Sequence, residues 1–157
     1  MSTNISSWES YTGRLILAFG QIELLSFRLV ELWLQDINPG EYTLKKRLDL
    51  LIGHVERITD SGDEKKQHLK DLLVRAKNQC DIRNQVAHNP VILNLYSDST
   101  FEHALADLRG EALPIDICFL EELAEASNEL ASDLLICVSN FTERGVDEFI
   151  TKPPPRR

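Results

Sequence analysis

Along residues 7–35, Trp8, Tyr11, Leu15, Ala18, Ile22, Leu25, Leu29 and Trp33 recur at steps of three and four. That period puts them on one face and predicts a long amphipathic helix. Ser6 or Ser7 is placed to cap its start, and Asn38-Pro39-Gly40 to end it. Gly13 and Gly20 fall inside it, each costing about 1 kcal/mol relative to alanine. Close approach of another helix would explain them, and so would simple tolerance. A second helix is predicted over 41–59, where Leu44, Leu48, Leu51, Val55 and Ile58 form the stripe, and Asp60-Ser61-Gly62-Asp63 reads as a turn. A third is predicted over 64–88, with Leu69, Leu72, Leu73, Ala76, Cys80 and Ala87 on its apolar face. Asn89-Pro90 stops it, because proline disfavours helix in the residue before it.

The period then changes. Residues 91–96 and 101–106 are short, mostly apolar runs on either side of Ser97-Asp-Ser-Thr100, which predicts a β-hairpin. Residues 115–118 read as a further extended piece, and 119–144 as a fourth helix with Leu120, Leu123, Leu130, Leu134, Val138 and Phe141 inward. Helices with one apolar face each are satisfied by sharing a core. The expected fold is therefore all-α: an up-and-down four-helix bundle with a short hairpin inserted between helices three and four. One domain is expected over 1–150, followed by a flexible Pro/Arg tail over 151–157.

Composition narrows the partners. With 17 Lys and Arg against 25 Asp and Glu, the chain carries a formal −8. A broad electrostatic grip on nucleic-acid phosphates needs clustered positive charge, so any anion site here has to be small and local. No apolar run approaches the roughly 18–20 residues that span a bilayer, so no membrane partner is expected. The start, MSTNISSWES, lacks the basic and apolar regions of a signal peptide. Cys80, Cys118 and Cys137 are odd in number and widely spaced, and read as buried thiols of a reducing, cytoplasmic compartment.

Motifs for familiar chemistry are few. His54, His68, His88 and His103 include no pair at a metal-ligand helical spacing, and no phosphate-binding glycine loop or nucleophile elbow occurs, so neither metal nor cofactor is expected. Cys80 falls on an apolar stripe and reads as structural. One segment stands apart: Arg83-Asn84-Gln85-Val86-Ala87-His88-Asn89-Pro90. At 100° per residue, Arg83 lies about 40° from the centre of its apolar stripe, where a guanidinium needs partners. Asn84 and His88 join it at the same helix end. The rise from arginine to histidine is about 7.5 Å, within joint reach of one phosphate. The same residues also read as an arginine at a bundle edge and a histidine near a helix C-terminus. Arg47 and His54 form a second pair of this kind, mid-helix, and read as a solvated edge.

A third helix ending in Arg83-Asn84-x-x-x-His88 resembles the HEPN superfamily, whose signature is arginine, a polar residue and a histidine after four to six intervening positions. Phe19-Gly-Gln-Ile-Glu23 is similar to the opening helix of bacterial HEPN-like proteins. The likeness covers residues 7–144 in architecture, and only Arg83, Asn84 and His88 in motif. It implies a metal-independent endoribonuclease of toxin–antitoxin or antiphage type, with RNA as substrate and a cognate antitoxin as a further partner. It also implies a homodimer whose two sites face one another. Some members carry a tyrosine two residues after the histidine, where this chain has Pro90. In the implied chemistry His88 moves protons, Arg83 stabilises the phosphorane and Asn84 orients substrate or side chains. Glu23 is a possible carboxylate partner for Arg83. The alternative, from another class, is a non-catalytic HEPN-like module that binds a protein or nucleotide.

Overall fold

A computed structural model describes residues 5–58 and 63–141. They form four helices, α1 (Ile5–Trp33), α2 (Leu44–Arg57), α3 (Asp63–His88) and α4 (Ile117–Phe141), with a hairpin of β1 (Val91–Leu95) and β2 (Phe101–Leu105) between α3 and α4. The helical character and the hairpin's place follow the periodicity. The expected tail over 151–157, the turn at 60–62 and the last residues of the fourth helix lie outside the described residues. No helix among the described residues is long and apolar enough to cross a membrane.

Several boundaries differ from expectation for local reasons. α1 begins at Ile5, so Ser6 and Ser7 lie inside its first turn and cannot cap it. Asn38 does not simply end α1; its side chain accepts from Gly40 N and caps a 3-10 turn over Pro39–Glu41. Thr43 then caps α2. The extended piece expected at 115–118 stops early. The Asp116 carboxylate accepts from the Phe119 amide at 2.7 Å, and this cap starts α4 at Ile117. As a result Cys118 is exposed in the first turn of α4, whereas Cys80 and Cys137 are buried as expected.

The described chain divides into two compact units. One holds 5–19 and 79–129, and the other holds 20–58, 63–78 and 130–141. In the first, Trp8, Leu15, Ala18 and Phe19 of α1 are buried, as are Cys80 and Val86 of α3, Leu105 of β2, and Leu120, Leu123 and Ala124 of α4. Tyr11 donates to Glu121, and Ser127 to Gln79, linking α1 to α4 and α4 to α3. In the second, Ile22, Leu25, Leu29 and Val30 are buried together with Leu48, Leu51 and Val55 of α2, Leu69, Leu72, Leu73 and Ala76 of α3, and Leu130, Leu134 and Val138 of α4. Lys70 pairs with Glu56 and Lys77 with Asp49 between α3 and α2. A Cβ at Gly13 or Gly20 would meet nothing within 4 Å, so neither glycine serves a close approach among the described residues.

The hairpin has fixed register, with Val91 opposite Leu105, Leu93 opposite His103 and Leu95 opposite Phe101. Its turn closes through Tyr96 N to Thr100 O, with Ser99 at a φ of 65°. After β2 the chain folds back, so that Ala106 bridges Ala112 and Leu113 N donates to Leu105 O.

Candidate functional site

The three polar residues singled out at the end of α3 all lie in the first unit, and the structure brings two of them into contact. Arg83 is half-buried, with its guanidinium carbon 5.6 Å from the centroid of the fully buried Phe19 ring. A guanidinium set against an aromatic ring gains cation–π attraction, which offsets part of the cost of burying Nε. Its Nη1 donates to Asn84 Oδ1 at 2.9 Å. Arginine has donors only, so asparagine must turn its oxygen toward it. The Nδ2 donors of Asn84 are thereby left for other partners. Asn84 and His88 are exposed, and His88 is the last residue of the helix.

Helix C-termini concentrate carbonyl oxygens, which repel anions. Here Gln85 O accepts from both Asn89 N, at 3.2 Å, and Asn89 Nδ2, at 2.8 Å, so one of those carbonyls is doubly occupied. Ala87 was expected on the buried stripe beside Arg83. It is exposed, and Val86 is buried instead. The buried face of α3 shifts between Cys80 and Val86, within the first unit.

Glu23 was expected beside Arg83. The ion pair found for it is with Arg47, Oε1 to Nη2 at 3.0 Å. Arg47 in turn was expected at a solvated edge, and that expectation is overturned: it is 5% exposed. Its Nε donates to Ser26 Oγ, its Nη1 to the carbonyls of Pro39 and Tyr42, and its guanidinium lies over Phe27. With Glu23 these partners take four of the five N–H donors of a buried cation, so the arginine clamps α2 to α1 and to the turn that joins them. At 100° per residue Arg47 lies about 60° from the centre of its apolar stripe, so its edge position was legible in the sequence and its burial was not. His54 is part-buried and stacked on Trp33, with centroids 5.5 Å apart, and burial followed by the nearby Arg57 lowers its pKa.

Among the described residues no group of three or more His, Cys, Asp or Glu side chains could hold a metal ion. Compared with protein-family models, curated proteins and solved structures, the chain matches none. The functional reading therefore rests on the end of α3 itself.

Proposed function

We propose that the chain is a metal-independent endoribonuclease of HEPN type, of the toxin or defence kind and restrained by a cognate antitoxin protein. The observation that carries the reading is the grouping of Arg83, Asn84 and His88 at the end of α3. Arg83 is held by Phe19 and Asn84, and the helix ends five residues on at the exposed His88. Such a group suits a phosphodiester. Arg83 and the Asn84 amide nitrogen hold the non-bridging oxygens, where charge grows as phosphorus becomes five-coordinate. His88 takes the proton from the 2′-hydroxyl, whose oxygen bonds to phosphorus as the bond to the 5′-oxygen breaks. Water supplies the proton to the leaving 5′-oxygen. The products are a 2′,3′-cyclic phosphate and a 5′-hydroxyl.

The test is incubation of the purified chain with a mixed-sequence RNA in EDTA, with product ends identified by mass spectrometry. His88→Ala is expected to lower the rate by about 10²–10⁴. Loss of all activity in EDTA, or equal activity in His88→Ala and the parent, overturns the proposal. The net charge of −8 favours the second reading, a non-catalytic module. That reading predicts nucleotide or protein binding that Arg83→Ala abolishes, with no RNA turnover by the parent.

A further inference from the structure

Hydrogen bonding identifies which backbone groups of the hairpin turn inward and which turn outward. Ala106 N donates to Pro90 O at 3.0 Å, and Tyr96 N to Thr100 O at 2.9 Å. In an antiparallel ladder inward and outward backbone groups alternate. Residues 92 and 94 therefore turn their N–H and C=O groups toward β2, and Val91, Leu93 and Leu95 turn theirs away. The same alternation sends the Leu105 carbonyl away from β1, and there it meets Leu113 N at 2.8 Å. The returning chain thus meets the far side of β2 at its Leu105 end. Among the described residues no strand pairs with the far side of β1.

The side chains of β1 match its open backbone. Val91, Leu93 and Leu95 share a face with Leu105, His103 and Phe101. On that face Leu93 is 51% exposed, Leu95 77% and Phe101 45%. Edge strands are normally protected by lysine, by an internal proline or by a bulge, and β1 has none of these. Residues 84–97 contain no Asp, Glu, Lys or Arg, although 27% of the chain is charged and fourteen such positions would hold about four.

We infer that the open edge of β1 pairs with β1 of a second copy of this chain, antiparallel, about a two-fold axis at Leu93. In that register Leu93 faces Leu93 of the second copy, and Val91 faces its Leu95. Each outward N–H then meets an outward C=O, and both apolar faces join into one four-stranded sheet. Charge selects the occupant. A chain at −8 meets itself with least repulsion where it carries no charge, whereas a partner chosen by charge finds nothing on β1 to hold. The geometry differs from the face-to-face arrangement expected from the sequence. β1 begins at Val91, two residues or about 7 Å before Leu93, so antiparallel pairing about that axis carries the two α3 ends to opposite sides of it.

The inference is independent of the ribonuclease reading, and its test uses no RNA. Sedimentation of the full chain at about 5 µM and about 200 µM is expected to show mass rising from 17.9 kDa toward about 36 kDa. Amide exchange followed by NMR at the same concentrations reads the interface. The amides of Val91, Leu93 and Leu95 are expected to slow at least about tenfold at the higher concentration, with those of Ile92 and Asn94 already protected. Leu93→Lys, at a half-exposed position, is expected to hold the chain at the monomer mass. A single monomer mass throughout overturns the inference. So does a dimer whose protection falls on other amides, or one that Leu93→Lys leaves intact. Should that variant misfold, exchange in the parent protein decides alone.

Discussion

Glu23 and Arg47 stand 3.0 Å apart, a half-exposed carboxylate against a guanidinium that is almost wholly buried. The asymmetry determines what each contributes. Glu23 keeps much of its hydration and gains a contact that water partly screens. Arg47 has given up its hydration and depends on Ser26, Pro39, Tyr42 and Glu23 together.

Substitution should therefore separate the two ends of the pair. Arg47→Ala is expected to cost about 3–5 kcal/mol, since it takes the arginine donors from the Tyr42 carbonyl and the Ser26 hydroxyl and leaves the Pro39 carbonyl only the Tyr42 amide. Glu23→Gln is expected to cost about 1 kcal/mol or less. Urea unfolding of the two variants beside the parent measures both. Equal losses would contradict the view that backbone carbonyls, and not the ion pair, anchor Arg47.

Ser99 holds a φ of 65° in the hairpin turn, a region that costs a residue with a Cβ roughly 1–2 kcal/mol. The Asp98 carboxylate, accepting from the Thr100 amide at 3.0 Å and hydroxyl at 2.6 Å, helps to keep the turn closed around it. Ser99→Gly is expected to stabilise the chain by about 0.5–1 kcal/mol, part of the steric relief being offset by the freedom glycine gains in the unfolded chain. A higher urea midpoint at unchanged slope is the expected reading. An unchanged or lower midpoint refutes it.

Periodicity made the helices and the hairpin legible because each needs a continuous apolar face, and a period is visible without knowing what covers it. It failed where the covering element decides. Val86 and Ala87 are both apolar, and helical phase favours Ala87 with Cys80; in the structure Val86 is the buried one. Arg47 was misread because a charge at the edge of a stripe suggests solvent, and the carbonyls that receive it lie on a turn whose path the sequence does not reveal. The grouping of Arg83, Asn84 and His88 at one helix end was legible from spacing alone. The Phe19 ring beneath Arg83 was not, because that contact joins positions 64 residues apart in sequence.

That ring sets a further expectation. Arg83→Lys keeps the charge but loses the flat guanidinium, which both lies against Phe19 and bonds Asn84. On the ribonuclease reading, the lysine variant is expected to retain substrate affinity within a few-fold while turnover falls by about tenfold or more, because a flexible ammonium holds phosphate without orienting it. Steady-state kinetics on a short RNA separates the two. A lysine variant with full turnover would leave Arg83 as a charge and nothing more.

His54 supplies a pH dependence of folding with a definite sign. Stacked on Trp33 and part-buried, it has a pKa pushed below the ordinary value near 6.5, first by desolvation and then by Arg57. Above pH 6.5 the imidazole is neutral in both folded and unfolded chains and contributes no slope. As pH falls through 6.5 the unfolded chain takes up the proton while the folded chain does not, so the unfolded state is favoured until the pH passes below the depressed folded value. His54→Phe keeps an aromatic ring on Trp33 and removes the titration. Urea midpoints at pH 7.5 and pH 5.5 should fall further in the parent than in His54→Phe, with carboxylate titrations common to both. Equal falls would show that the stacked imidazole takes up its proton as readily folded as unfolded.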